Sequence, residues 1–255
     1  MGTVSDAASS TSAPLPALPE DFDRVLCIVA HPDDVEYGTA AAVARWTAAG
    51  KQVVYAMATS GEAGIDTIPP ATAGPLREAE ELASAGAVGV REVEFFRHRD
   101  GRLTESIDLR LDIARAIRQH RPHLVVTLNH HDTWGPGTWN SADHRALGRT
   151  VLDGVADAAN RWIFPELGHE GFAPWKGVRR VVVANSTSPT HVVDITNTVE
   201  AGIAALALHE EYFRALDPDT PVRRQAEQVY ERVVRRDAPG WTGRSVLAVQ
   251  LALAL

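Results

Sequence analysis

Apolar runs alternate with amphipathic stretches along most of the chain, and that rhythm sets the expected elements. Residues 25–30 read as a first strand, followed by a helix over 39–49 that ends at Gly50. Residues 52–59 read as a second strand. The stretch 60–74 holds three glycines and two prolines and reads as a long loop. A helix is predicted over 75–87, with Pro75 near its start, where the missing N–H costs little. A short strand at 93–96, a helix over 106–120 and a largely apolar strand at 124–128 come next. Residues 129–141 read as another long loop, with His130, His131, Trp134 and Trp139. Beyond it the pattern predicts a helix over 143–159, a strand over 180–184, a short strand over 191–195 and one helix over 198–214.

Strands that are apolar almost throughout, separated by helices, argue for an α/β fold with a mostly parallel central sheet. Such folds place their chemistry in loops at the carboxyl ends of the strands. The two long loops and the segment after the first strand all fall there. Residues 20–215 read as the main domain. Residues 216–255 leave the rhythm and read as a C-terminal extension packed on it, as an appended subdomain or an antiparallel edge. Residues 1–19, rich in Ala, Ser, Thr and Pro, read as a disordered arm. They lack the basic start and apolar stretch of a signal peptide.

Composition narrows the function. A length of 255 residues fits one large domain or two small ones and can bury a core without disulfides. A net charge of −8 argues against a general binder of nucleic acid or anionic membrane. No apolar stretch approaches the ~20 residues of a membrane span, so the expected location is the cytoplasm. The apolar end, 245–255, reads as a buried strand or helix or a subunit contact, which leaves room for a homo-oligomer. The single cysteine, Cys27, excludes an intrachain disulfide and a multi-cysteine zinc site. It lies in an apolar run and reads as inert core.

The first strand runs straight into His31, Asp33, Asp34 and Glu36. His31 and Asp34 offer a nitrogen and a carboxylate oxygen, donor types that zinc accepts. Asp33, between them, can take a proton from a metal-activated water. Adjacent aspartates repel unless a cation lies close, which favours a metal. A solvated acidic turn is the plain alternative. A catalytic zinc takes about three protein ligands, and His144, in Asp143-His144-Arg145, is a candidate third. It reaches the others if the 124–128 strand neighbours the first. The alternative is a capping Asp143 beside an ordinary surface histidine. No dinucleotide fingerprint, phosphate loop, HExxH motif or GxSxG elbow is present.

Together these residues resemble the PIG-L (LmbE-like) family of zinc-dependent N-deacetylases. The resemblance runs from Val25 to about Arg214 and is anchored by AHPDDVEYG at 30–38. TSGE at 59–62, LREAE at 76–80, RDGRL at 99–103, ADHR at 142–145 and HVVDI at 191–195 support it. It implies a Rossmann-like three-layer sandwich. It implies zinc, or another divalent metal, on His31, Asp34 and His144, with Asp33 as general base. Water then attacks the acetamide carbonyl of an N-acetylglucosaminyl-type small molecule or glycoconjugate, and a protonated group assists amine departure. Arg77 matches a substrate-contacting arginine, with an exposed helix arginine as the alternative. Asp100 matches an acidic residue near the sugar, with a turn aspartate as the alternative.

One departure stands out. The family usually carries a histidine three residues before the zinc histidine, in HPDH, where this chain has Ser141 and Ala142. His191 is one replacement for its catalytic role; His130 and His131 are others. Asp143 is expected to orient a histidine. Trp139 and His131 are candidate substrate contacts. Trp134 and Trp139 flank a Gly-Pro-Gly turn, and packing that pins the loop is the alternative. Two other readings compete: a non-catalytic sugar- or glycoside-binding protein on the same scaffold, and a zinc amidase acting on a thiol conjugate.

Overall fold

A computed structural model describes residues 13–236 and 238–254. In chain order the elements begin with β1 (Arg24–Val29), α1 (Asp34–Gly38), α2 (Ala40–Ala48), β2 (Gln52–Thr59), α3 (Pro70–Ala87) and β3 (Val93–His98). Next come α4 (Ile107–His120), β4 (Leu124–Leu128), the hairpin β5 (Thr133–Gly135) and β6 (Thr138–Trp139), α5 (Ala142–Ala159) and α6 (Pro165–His169). The chain continues through β7 (Arg180–Ala184), β8 (His191–Asp194), α7 (Val199–Leu206), α8 (Glu210–Leu216) and α9 (Val222–Val233). It closes with β9 (Val234–Arg236) and β10 (Ser245–Ala254).

The central sheet runs β3-β2-β1-β4-β7-β10-β8, with β9 paired to β10. Its first five strands are parallel, and β10 is antiparallel to β7, β8 and β9. Strand β1 is apolar from Val25 onward because both of its faces are covered there. Val25, Cys27 and Val29 face a layer with α2 residues such as Val43 and Trp46 and α7 residues such as Leu206. Leu26 and Ile28 face the opposite layer, with Ile113 and Ile117 of α4 and Leu147 and Val151 of α5. The result is three layers, helices on both faces of the sheet. Cys27 is fully buried in it, and burial pushes its thiol well above the ordinary range.

Strand β1 is followed by β2 on one side, while β4 lies on the other. The winding direction reverses between β1 and β4. That reversal opens a crevice at their carboxyl ends, where α/β folds bind ligands.

Several elements differ from the sequence pattern. The helix expected from Pro75 starts at Pro70, which takes the first helical position, so Pro75 lies inside it. The helix expected over 39–49 is preceded by α1, a single turn that begins at Asp34. The long helix expected over 198–214 is two, α7 and α8, and His209 sits at the break with its side chain fully buried. Residues 216–255 do not sit outside the sheet as an edge: β10 lies between β7 and β8. The first twelve residues of the expected arm lie outside the described residues. Its end is held, since Leu18 is buried and its N–H donates to the Val192 carbonyl at 2.8 Å. Among the described residues no helix is long and apolar enough to cross a membrane.

Candidate active site

Strand β1 delivers the chain directly into the crevice. After Pro32 the backbone takes a left-handed turn at Asp33, with φ of 100°. Residues with a Cβ avoid this region, though Asp tolerates it better than most. Two buried contacts hold it. The Asp33 N–H donates to Glu81 Oε2 at 2.9 Å, and Arg77 Nη2 donates to Asp33 Oδ2 at 2.8 Å. Asp34 folds back on the turn, its Oδ2 accepting the N–H groups of Ala30 at 3.0 Å and His31 at 2.9 Å. Its Oδ1 lies 3.1 Å from His144 Nε2.

His144 arrives from the neighbouring strand, as the sequence reading required. Strand β4 leads into the loop and hairpin, and α5 starts at Ala142 with Ser141 as its N-cap. Ser141 Oγ accepts the His144 N–H at 3.1 Å, so this serine serves the helix end. His31, Asp34 and His144 each present one donor atom, all within 4.8 Å of one another.

Each imidazole is gripped by its far nitrogen. His31 Nε2 lies 3.1 Å from Asp100 Oδ1 and 3.3 Å from Asp143 Oδ2. Its Nδ1 faces Asp34 Oδ2 at 3.5 Å. His144 Nδ1 lies 3.0 Å from Asn140 Oδ1, which leaves Nε2 for Asp34. Such partners fix ring orientation and tautomer in metal sites. Asp143 also accepts the N–H of Gly101 at 2.7 Å and of Leu103 at 3.0 Å, and Asp100 accepts that of Ala63 at 2.8 Å. Asp100, the candidate acidic residue near the sugar, thus also contacts His31.

Burial and charge set the protonation pattern. Burial pushes Asp33 up to about 6, and the neighbouring Asp34 carboxylate adds to it against the pull of Arg77. Burial also works to raise Asp34, but His144 and His31 prevail and hold it well below the usual carboxylate range. Burial works to lower His31, yet its bonds to Asp100, Asp143 and Asp34 hold it well above the ordinary imidazole value.

Arg77, the candidate substrate contact, is not the exposed helix arginine of the alternative reading. It is 2% exposed, with Asp33 Oδ2 and the carbonyls of Gly61 and Pro32 on its terminal nitrogens. Its guanidinium lies 4.2 Å over the Tyr212 ring. Gly61, at φ of 63°, makes room: a Cβ there would meet the guanidinium carbon at 2.8 Å.

None of the histidines suggested for the role lost at Ser141 joins the cluster. His191 lies on β8, four strand positions from β1, which at about 4.8 Å per strand is roughly 19 Å. It bonds Thr190 Oγ1 at 2.9 Å. His131 turns to Gln250 Oε1 at 3.0 Å and stacks on His130, which covers Gly148. The two tryptophans divide. Trp134 stands edge-on to His144 with ring centroids 5.4 Å apart, a packing role. Trp139 is 65% exposed, with the Arg145 guanidinium 4.8 Å over its ring.

Sequence reasoning missed Asn140, Glu81 and His209. Asn140, four residues before His144, carries the one local signal: an amide placed to meet a histidine in the first turn.

The family described as "PIG-L: GlcNAc-PI de-N-acetylase" matches residues 26–155. The chain is 29% identical to the diacetylchitobiose deacetylase of Thermococcus kodakarensis, over 76% of this chain and 71% of that one. It is 30% identical to the 1D-myo-inositol 2-acetamido-2-deoxy-alpha-D-glucopyranoside deacetylase of Kineococcus radiotolerans, with 82% and 74% covered. In structure it resembles the N,N'-diacetylchitobiose deacetylase of Pyrococcus horikoshii, with a TM-score of 0.72 at 24% identity over 91% and 84% of the two chains. The family match spans the crevice from β1 to α5, with His31, Asp33, Asp34, Asp143 and His144 inside it, and the chain belongs to the PIG-L family.

Proposed function

We propose that the chain is a metal-dependent N-deacetylase, with zinc on His31, Asp34 and His144. Its substrate is an N-acetylglucosaminyl-type small molecule or glycoconjugate, the class named for both curated relatives. The observation that carries this reading is a three-donor cluster beside a separate buried carboxylate, Asp33, in the crevice between β1 and β4. The residues fit the ion. Two imidazole nitrogens and a carboxylate are a donor set zinc accepts, and the far nitrogens are already engaged.

An ion held there by His31, Asp34 and His144 would supply Lewis-acid polarisation of the acetamide and would acidify water. Asp33 is placed to accept the proton of the water that attacks the acetamide carbon. Arg77 occupies Asp33 Oδ2 and leaves Oδ1 without a hydrogen bond from the described residues. With its carboxyl raised to about 6, Asp33 is placed to return the proton to the departing amine. Asp100 and Asp143 hold His31, and Asn140 holds His144. Arg77 positions Asp33, and exposed Trp139 offers a face to the sugar. The acidic chain suits a small-molecule substrate in the cytoplasm better than nucleic acid or a membrane surface.

The test pairs metal content with acetate release from a panel of N-acetylglucosaminides, in wild type and Asp33→Asn. Metal stays bound in both, and turnover falls by about 10²–10⁴-fold in the variant, the range for a general acid–base group. A zinc-loaded wild type that releases acetate from no member overturns the reading. A second reading, glycoside binding without turnover, draws on Ser141, which caps α5 where the family resemblance leads to the expectation of a histidine. It predicts saturable sugar binding with no acetate.

A further inference from the structure

Beneath the active site lies a second trio. Glu36 from α1, Glu81 from α3 and His209 from the start of α8 are each 0% exposed. The break between α7 and α8 is what admits His209 to the interior. Its Nε2 lies 3.7 Å from Glu36 Oε2 and 3.7 Å from Glu81 Oε2, beyond hydrogen-bond length. Both Glu36 oxygens, Glu81 Oε1 and both His209 nitrogens lack a hydrogen-bond partner among the described residues. So do Ser84 Oγ, one turn along α3 from Glu81, and Tyr55 Oη, whose charged neighbours include Glu36 and Glu81. Buried polar atoms are nearly always paired, and a cluster of bare ones signals an ion or ordered water.

Charge and spacing favour the ion. Asp33, Asp34, Glu36, Glu81 and Asp143 are buried here, with Arg77 as the buried guanidinium among them. With these five carboxylates ionised, Arg77 and one divalent ion on His31, Asp34 and His144 still leave negative charge in excess. Burial together with Glu36 pushes Glu81 well above the usual carboxylate range, the direction expected where no cation lies beside it. The trio offers one donor atom from each residue, all within 4.8 Å of one another. Donors at about 2.0–2.2 Å from a tetrahedral ion stand roughly 3.3–3.6 Å apart. Donors sharing one water at about 2.8 Å stand nearer 4.6 Å apart. The imidazole–carboxylate separations of 3.7 Å lie nearer the ion's spacing than the water's.

We propose that Glu36, Glu81 and His209 form a second, structural cation site that takes Zn²⁺ or another divalent ion suited to mixed nitrogen and oxygen donors. The ion ties α1, α3 and α8 together under the catalytic turn. Glu81 Oε2 also accepts the Asp33 N–H at 2.9 Å, and α1 carries both Asp34 and Glu36, so the site braces both catalytic aspartates from below. The site does not rest on the deacetylase reading, because its test needs no turnover.

Metal content of the full chain purified with zinc decides it, measured in wild type, in His31→Ala/His144→Ala and in Glu81→Gln. Two zinc ions per chain are expected in wild type and one in each variant. One ion in wild type and none in the double variant overturns the site. Should Glu81→Gln fail to fold, anomalous scattering at the zinc edge from wild-type crystals gives the answer. A peak between Glu36, Glu81 and His209 supports the site, and ordered water without anomalous signal overturns it.

Discussion

The two histidine–carboxylate trios draw on the same donor types and share α1, yet they are built in opposite ways. In the outer trio, Asp100, Asp143 and Asn140 hold the two imidazoles from behind, and the His31 and His144 side chains keep 16% and 13% exposure. In the inner trio no described residue supports the imidazole, and exposure is nil. The difference teaches what each can do. A site that exchanges water and substrate must keep its ligands in place when empty, which needs outer hydrogen bonds. A closed site can leave that task to its occupant. Asp33 connects them, since its side chain serves the outer site and its N–H rests on Glu81 of the inner one.

Arg77 is where that connection breaks with the largest effect. The Arg77–Asp33 pair is almost fully buried, at 3% and 7% side-chain exposure, so solvent screens it little. Arg77→Met leaves Asp33 without its buried counter-charge. Removing one partner of a buried pair costs about 3–5 kcal/mol, read as a lowered urea midpoint at unchanged slope. A loss under about 1 kcal/mol, the scale of exposed pairs, would mean that Asp33 is held by Glu81 alone. The comparison would then shift toward the inner trio as the element that shapes the turn.

Removing the outer supports gives the next effect. Asn140→Ala frees the far nitrogen of His144, and Asp143→Asn weakens the grip on His31. Each is expected to lower metal affinity at the outer trio by about 10- to 100-fold, measured by competition with a chelator. The inner ion stays in place in both variants. Equal loss of both ions would show that the trios bind as one unit and that the contrast between them is false.

Much of the outer trio was legible in the sequence because local signals carry it. A continuous apolar strand that ends in AHPDD puts His31, Asp33 and Asp34 at a sheet edge, and strand 124–128 followed by a capped helix puts His144 beside them. The inner trio was not legible. Glu81 and His209 sit in amphipathic stretches where polar residues normally face water, and their burial follows from how α3 and α8 dock. Arg77 shows the same limit: the sequence offers a substrate contact or an exposed helix arginine, and only packing against Gly61 and Tyr212 makes its burial visible. The separation of His191 from His31 depends on strand order, which the sequence pattern does not give. The insertion of β10 between β7 and β8 is non-local pairing, which periodicity does not encode. The same period of apolar residues serves an edge and an interior strand.

The smallest expected effect tests whether the outer trio opens onto a sugar. Trp139 stands on β6 at the end of the hairpin, while Trp134 on β5 packs against His144. If the exposed Trp139 ring contacts the substrate remote from the amide, that contact is the same in ground and transition states. Trp139→Ala then raises KM and leaves kcat unchanged. An aromatic face contact is worth about 0.5–1.5 kcal/mol, so the rise is roughly 2- to 10-fold in steady-state assays of acetate release. If Trp139 instead steadies the hairpin, its loss loosens Trp134 and with it the His144 ring. In that case kcat falls, metal affinity drops with it, and KM moves little. The split between KM and kcat therefore separates a sugar platform from a support for the histidine, two roles that exposure alone does not distinguish.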